Sequence, residues 1–149
     1  MTRPLLIHLF FMVLGYALAV AVASTITVFI TFIPTVLPDD GAWGSAYKSL
    51  QELPVFLLFG AFYTAMFATP GWLISVITAE YSNERRKYWF GIAGFLTAIL
   101  AQLIAYAFIG GMFAAPLTLI GSLIGGFAGG VTYWAIVGKR SGGWKRVAA

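Results

Sequence analysis

Apolar residues fall in four long runs separated by short polar stretches, at roughly 5–37, 53–79, 88–109 and 116–138. Each run reaches the ~20 residues that a helix needs to cross a bilayer. Hydrocarbon offers no partner to backbone N–H and C=O groups, so a spanning segment bonds within itself and helix is the expected form. The period-two alternation of a membrane barrel strand is missing. The pattern predicts an all-α fold, a single transmembrane domain over 1–149: a four-transmembrane-helix bundle running up-down-up-down. The first run, about 33 residues, would extend roughly 50 Å against about 30 Å of hydrocarbon. It is expected to tilt, bend near Pro34 or project beyond the lipid. Its start, "MTRPLLIHLF", with "AVAS" at 21–24, resembles a signal peptide. The apolar stretch continues to Leu37 without a polar break, so an uncleaved first helix is expected.

The breaks carry their own signals. In "PDDGAWGSAYKSLQEL", Trp43, Ala46, Tyr47 and Leu50 follow helical spacing and Asp39 or Asp40 suits a cap. A short interfacial helix over 41–51 is expected there. Asp39, Asp40 and Glu52 read as a solvated acidic loop rather than a cation site. The loop "IGGMFAAP" has no charge; Gly110 and Gly111 permit a tight turn and Pro116 suits a first helical turn, so the last two helices should form a close antiparallel hairpin.

Composition supports lipid as the solvent: 60% of residues are hydrophobic and only 9% charged, against about 25% charged in ordinary soluble domains. The net charge of +4 and pI near 9.6 do not indicate a nucleic-acid partner, because the cations form short clusters beside apolar runs rather than a groove or stripe. Eight of the nine basic residues lie on one side: Arg3; Arg85, Arg86 and Lys87; and Lys139, Arg140, Lys145 and Arg146. Only Lys48 lies on the other. The positive-inside rule then predicts that both termini and the 80–88 loop are cytoplasmic, and the bias argues against a dual-topology design. Arg85, Arg86, Lys87, Lys139 and Arg140 are candidates for contact with anionic lipid headgroups. Trp43 and Tyr47 on one side, and Tyr81, Tyr88, Trp89, Tyr133, Trp134 and Trp144 on the other, sit where interfacial aromatic belts are expected.

Inside the predicted spans the strongest signal is "GSLIGGFAGG". Gly121, Gly125 and Gly129 recur every four residues, and Ser122, Gly126 and Gly130 do the same on the adjacent strip. Small-xxx-small strips let two helix backbones approach closely, where van der Waals contact supplies the attraction in lipid. The partner could be another helix of this chain or a second copy. Pro70 lacks an N–H and leaves the carbonyl of Met66 without its usual donor, and Gly71 loosens the same turn. Thr69 can donate its hydroxyl to an earlier carbonyl. The pair reads either as a packing kink or as the broken helix that marks sites in many transporters. Gln102, with Tyr106 one turn later, reads as interhelical glue or as a pathway residue. Ser24, Thr27 and Thr31 share a face of the first run, and Thr64 lies in the second.

No Asp, Glu, Lys or Arg falls in the central part of any run, whereas ion-coupled transport usually relies on such a group. His8, the single histidine, reads as an interface residue, and Glu80 and Glu84 balance the basic loop. With one histidine and no cysteine, a conventional zinc or bis-histidine haem site is not available. Nucleophile, phosphate-loop and metalloprotease motifs are missing. No catalytic residue, metal or cofactor is expected.

"VITAEYSNERRKYWFGIAG" and "GGFAGGVTYWAIVGKRSG" are similar to segments of small uncharacterised four-helix inner-membrane proteins of alphaproteobacteria. The resemblance covers about a third of the chain. It implies a bacterial inner (plasma) membrane location and no assigned activity. The expected function is that of a non-enzymatic structural or accessory integral membrane protein. It would act by helix packing in the lipid bilayer, as a homo-oligomer or with other membrane-protein subunits, without nucleic acid. The alternative is a small homo-oligomeric channel or transporter built on a break at Pro70–Gly71.

Overall fold

The computed structural model describes the backbone of residues 2–36, 43–109 and 116–140, and the side chains of residues 6–31, 51–108 and 116–139. Four long helices account for most of it: α1 (Thr2–Val36), α2 (Trp43–Ser82), α3 (Lys87–Ile109) and α4 (Pro116–Ile136), the last followed by a 3-10 turn at Gly138–Arg140. Each contains a stretch long and apolar enough to cross a membrane: Leu6–Thr31, Gln51–Ser82, Lys87–Phe108 and Pro116–Ile136. The protein has the architecture of a multi-pass membrane protein.

Helix α2 departs most from expectation. The sequence predicts a separate interfacial helix over 41–51 and a second span from 53; the structure joins them into one helix of 40 residues, about 60 Å long at 1.5 Å per residue. Pro54 and Pro70 both lie inside it. Both are on its exposed face, where the rings clear the neighbouring helices and each removes only one ladder bond. Helix α1 likewise starts at Thr2 and continues through Pro34 to Val36. The sequence expectations about Asp39, Asp40, Gly110 and Gly111, about the tail residues Trp144, Lys145 and Arg146, and about the side chains of Arg3, Trp43, Tyr47, Lys48 and Arg140, fall outside the described residues.

Between α2 and α3 the chain turns within residues 83–86. Asn83 adopts φ 57°, the left-handed conformation that a short polar side chain tolerates. The Glu84 N–H reaches back to the Ala79 carbonyl at 3.0 Å, so the end of α2 closes as a Schellman-type cap. One Glu84 carboxylate oxygen then accepts from the N–H groups of Arg85 and Arg86, both at 3.0 Å. The Trp134 indole N–H donates to the Arg85 carbonyl at 2.7 Å and fastens this turn to α4. Residues 80–89 and 134–140 therefore share one end of the bundle, and His8 joins them through Glu80, with Nε2 3.4 Å from Oε1.

Neighbouring helices run antiparallel around a square, with α4 packed closely between α1 and α3, and α2 more loosely against α1 and α3. α2 and α4 stand on a diagonal. The close seams are made by small residues. A Cβ at Gly125 would lie 2.5 Å from the Ala23 carbonyl oxygen, and one at Gly129 2.8 Å from that of Ala19. On the adjacent strip, Gly126 faces Ala98, with a Cβ there 2.6 Å from the Ala98 methyl, and Gly130 abuts the Phe90 carbonyl. Backbones this close exclude any side chain, and that is why glycine is tolerated in a helix where alanine would propagate it better. The two strips of α4 therefore serve two helices of the same chain. The best-buried apolar cluster, Val76, Ala79, Phe90, Tyr133 and Val137, lies toward the 80–89 end. Tyr133, expected in an interfacial belt, belongs to this core at 5% exposure; its position along α4 matches a belt, but its azimuth points inward. Tyr81 and Tyr88 are exposed, as a belt requires.

Candidate functional site

The diagonal separation of α2 from α4 leaves a central cavity of about 610 Å³, within the ~300–1,000 Å³ of typical small-molecule sites. All four helices line it. At the end nearer residues 80–89, Tyr16, Trp72, Phe90 and Tyr133 form an aromatic floor: Tyr16 and Trp72 stack at 4.3 Å between centroids, Trp72 meets Tyr133 edge-on at 6.4 Å, and Phe90 lies 6.1 Å from Tyr133. Toward the other end, Thr31 donates to Thr118 across the α1–α4 seam at 3.4 Å, and Phe56 and Phe59 contribute from α2. Among the described residues that line the cavity none is Asp, Glu, Lys, Arg or His.

The structure places the proline site beside this floor. α2 is helical straight through Pro70 and Gly71. Pro70 faces outward, and Gly71 is buried against α3, where a Cβ would fall 2.9 Å from the Thr97 methyl. The carbonyl of Ala65, adjacent to that of Met66, is doubly satisfied: the Thr69 hydroxyl reaches it at 2.5 Å and the Tyr16 hydroxyl at 2.8 Å. Tyr16 and Thr69 also lie 2.9 Å apart. Two hydroxyls, one of them from α1, thus bond the carbonyl next to the one that proline leaves without a donor.

Gln102 lines the cavity from α3. Tyr106 does not join it: at 61% exposure it lies on the outer surface. Of the α4 strips, Ser122, Gly126, Gly129 and Gly130 border the cavity. Gly121 and Gly125 are occupied by α1, where Thr27 approaches both. Arg86, Lys87 and Lys139 are exposed at the 80–89 end, with the Lys87 ammonium 5.0 Å above the Tyr88 ring. Arg85 is half-buried and donates to the Asn83 side chain at 3.1 Å. No group of three metal-binding side chains occurs among the described residues.

Several participants escape the sequence reading. On α1, Gly15, Ala19 and Ala23 continue at four-residue spacing to Thr27, already singled out in the sequence, and with it supply the surface that α4 packs against. On α3, Gly94 and Ala98 do the same. Both stripes carry the spacing that identifies the strips of α4, and that spacing is the signal that would have found them. Tyr16 and Trp72 have no such marker.

A second, shallower groove of about 250 Å³ follows the α2–α3 seam and includes Gly71, Ser75, Thr78, Ala93 and Thr97. No family model, curated protein or solved structure matches this chain.

Proposed function

We propose that this is a non-enzymatic integral membrane protein whose four-helix bundle serves as a binding chamber for an apolar molecule drawn from the bilayer. One observation carries this reading: the roughly 610 Å³ cavity with an aromatic floor and no charged lining residue. Apolar surface of this extent favours a hydrophobic guest, which coming from lipid gains the dispersion contacts that an unfilled cavity forfeits. The test is to purify the protein in mild detergent, transfer it to nanodiscs and weigh it by native mass spectrometry. A bound apolar species is expected on the wild type. It should be lost from Ala101→Phe, which fills the cavity from α3, while elution as a monodisperse species is retained. Equal guest occupancy in both proteins would refute the chamber.

An accessory role through helix packing, with copies of this chain or a larger membrane complex, is supported by the α2–α3 groove and its small side chains. Helix α2 is also the least enclosed: 6% of its apolar window is buried, against 22% for α3 and α4. Because the chain has no cysteine, a Thr78→Cys probe can report neighbours by crosslinking, and a partner band in native membranes is expected.

In the same proposal the bundle sits in a bacterial inner membrane, with both termini and the basic 80–89 end cytoplasmic. Arg86 is 86% exposed, so an Arg86→Cys probe should react with an impermeant maleimide only from the cytoplasmic side.

A further inference from the structure

We propose that the guest of the central cavity is an uncharged long-chain alcohol, its hydroxyl held at Gln102 and its chain directed to the aromatic floor. This rests on the reading of the cavity as a binding chamber and specifies the ligand's chemistry.

The polar groups midway along the cavity define that chemistry; at the floor the only unpartnered buried polar atom among the described lining residues is the Trp72 indole nitrogen. The Thr27 hydroxyl donates to the Ala23 carbonyl at 2.8 Å, and that of Ser122 to the Leu119 carbonyl at 2.8 Å. A hydroxyl has one proton. With that proton committed to the backbone, each oxygen offers only lone pairs to the cavity. Gln102 is different. It lines the cavity, no hydrogen bond to its amide occurs among the described residues, and an amide carries two N–H donors and one acceptor. An amide in hydrocarbon strongly favours a partner.

These groups stand at one level. Gly126 packs against Ala98, and one turn further along each helix come Ser122 and Gln102. Thr27 flanks Gly121 and Gly125 on the same stretch of α4. A donor and two acceptors at one depth, with no charge nearby, match a hydroxyl, which accepts from the Gln102 amide while donating to a committed oxygen. A ketone or ester only accepts. A carboxylate or phosphate would bring a charge with no counter-charge among the described lining residues. A bare alkane leaves Gln102 without a partner. From the level of Thr27 to Tyr16 at the floor is about 16 Å along α1 at 1.5 Å per residue, and Val20, Ala23 and Phe67 line that distance with hydrocarbon.

Trp72 in the floor makes the test direct. The probe is ω-bromododecanol, whose terminal bromine quenches indole fluorescence on contact, compared with bromododecane and ω-bromododecanoate. In nanodiscs the alcohol is expected to quench the wild type saturably, and Trp72→Phe should abolish that saturable component. Gln102→Leu should weaken the alcohol by about tenfold, the scale of one good hydrogen bond, and leave bromododecane unchanged. Gln102→Met, matched in length, provides the same comparison should the leucine variant lose its fold. Alcohol affinity unaffected by both substitutions, or carboxylate binding equal to alcohol, would overturn the ligand assignment while leaving the chamber intact. Saturable quenching by none of the probes would overturn the chamber itself.

Discussion

Replacing Gly125 with alanine adds one methyl group at the tightest point of the α1–α4 seam. The new Cβ would lie 2.5 Å from the Ala23 carbonyl oxygen, 3.0 Å from the Thr27 hydroxyl and 3.2 Å from the Ala23 carbonyl carbon. The nearest obstacle is backbone, so no rotamer change relieves it. The helices must separate by close to 1 Å to restore ordinary contact. Across the turns flanking Gly125 the seam holds on the order of 100 atom contacts of ~0.1–0.2 kcal/mol, and a gap of that size forfeits about a quarter to a half of each. The loss is about 4 kcal/mol. Alanine's better helix propensity returns about 1 kcal/mol, leaving a net destabilisation of about 3 kcal/mol. Gly60→Ala is the matched control, since its Cβ would meet a side-chain methyl of Val28 at 2.8 Å rather than backbone, and a side chain at the cavity edge yields more cheaply than a helix backbone. Reversible unfolding in bicelles, measured by steric trapping, should separate the two by about 2 kcal/mol or more. Equal stability of Gly125→Ala and Gly60→Ala, or a stabilised Gly125→Ala, would refute the view that backbone contact holds this seam.

Tyr16→Phe removes a hydroxyl from the Ala65 carbonyl and Thr69; a loss of about 1 kcal/mol is expected, the scale of interhelical hydrogen bonds in membranes, and a double-mutant cycle with Thr69→Val should show non-additive energies. Trp134→Phe deletes the tie to the Arg85 carbonyl, so amide exchange across residues 84–87 should accelerate while α4 keeps its protection. Asn83→Val places a β-branched residue at φ 57° and should cost about 1–2 kcal/mol, whereas Asn83→Gly should be neutral within about 0.5 kcal/mol, both read from the same unfolding measurement.

The number of helices and their approximate extents were legible because hydrocarbon length imposes a coarse pattern that needs no knowledge of neighbours. The strips of α4 were legible for a similar reason: a period of four glycines has few uses outside close packing. What the strips would touch was not. Their seats on α1 and α3 depend on which azimuth each helix presents, and Gly15, Ala19 and Ala23 occupy the needed face without standing out among the other alanines of α1. The same blindness to azimuth put Tyr133 in a belt rather than the core, and grouped Tyr106 with Gln102. At Pro70 the local rule was sound, since a donor is missing there. The helix runs on with the ring pointing outward, and α1 lends the Tyr16 hydroxyl to the neighbouring Ala65 carbonyl, a contact between residues 49 apart that no local pattern encodes. The cavity has no sequence signature of its own; it exists only because two helices face each other across a diagonal.

The position of α4 between α1 and α3 also sets a schedule. The ribosome makes this helix after the other three, so the small-residue stripe on α1 must wait in lipid through the synthesis of two further helices before its partner arrives. Until then α1 and α3 have no shared neighbour except α2, and the chain exists as loosely associated spans rather than a bundle. Of these four helices α4 is the keystone, and any chain released before it is made exposes two unsatisfied grooves to the quality-control machinery of the membrane.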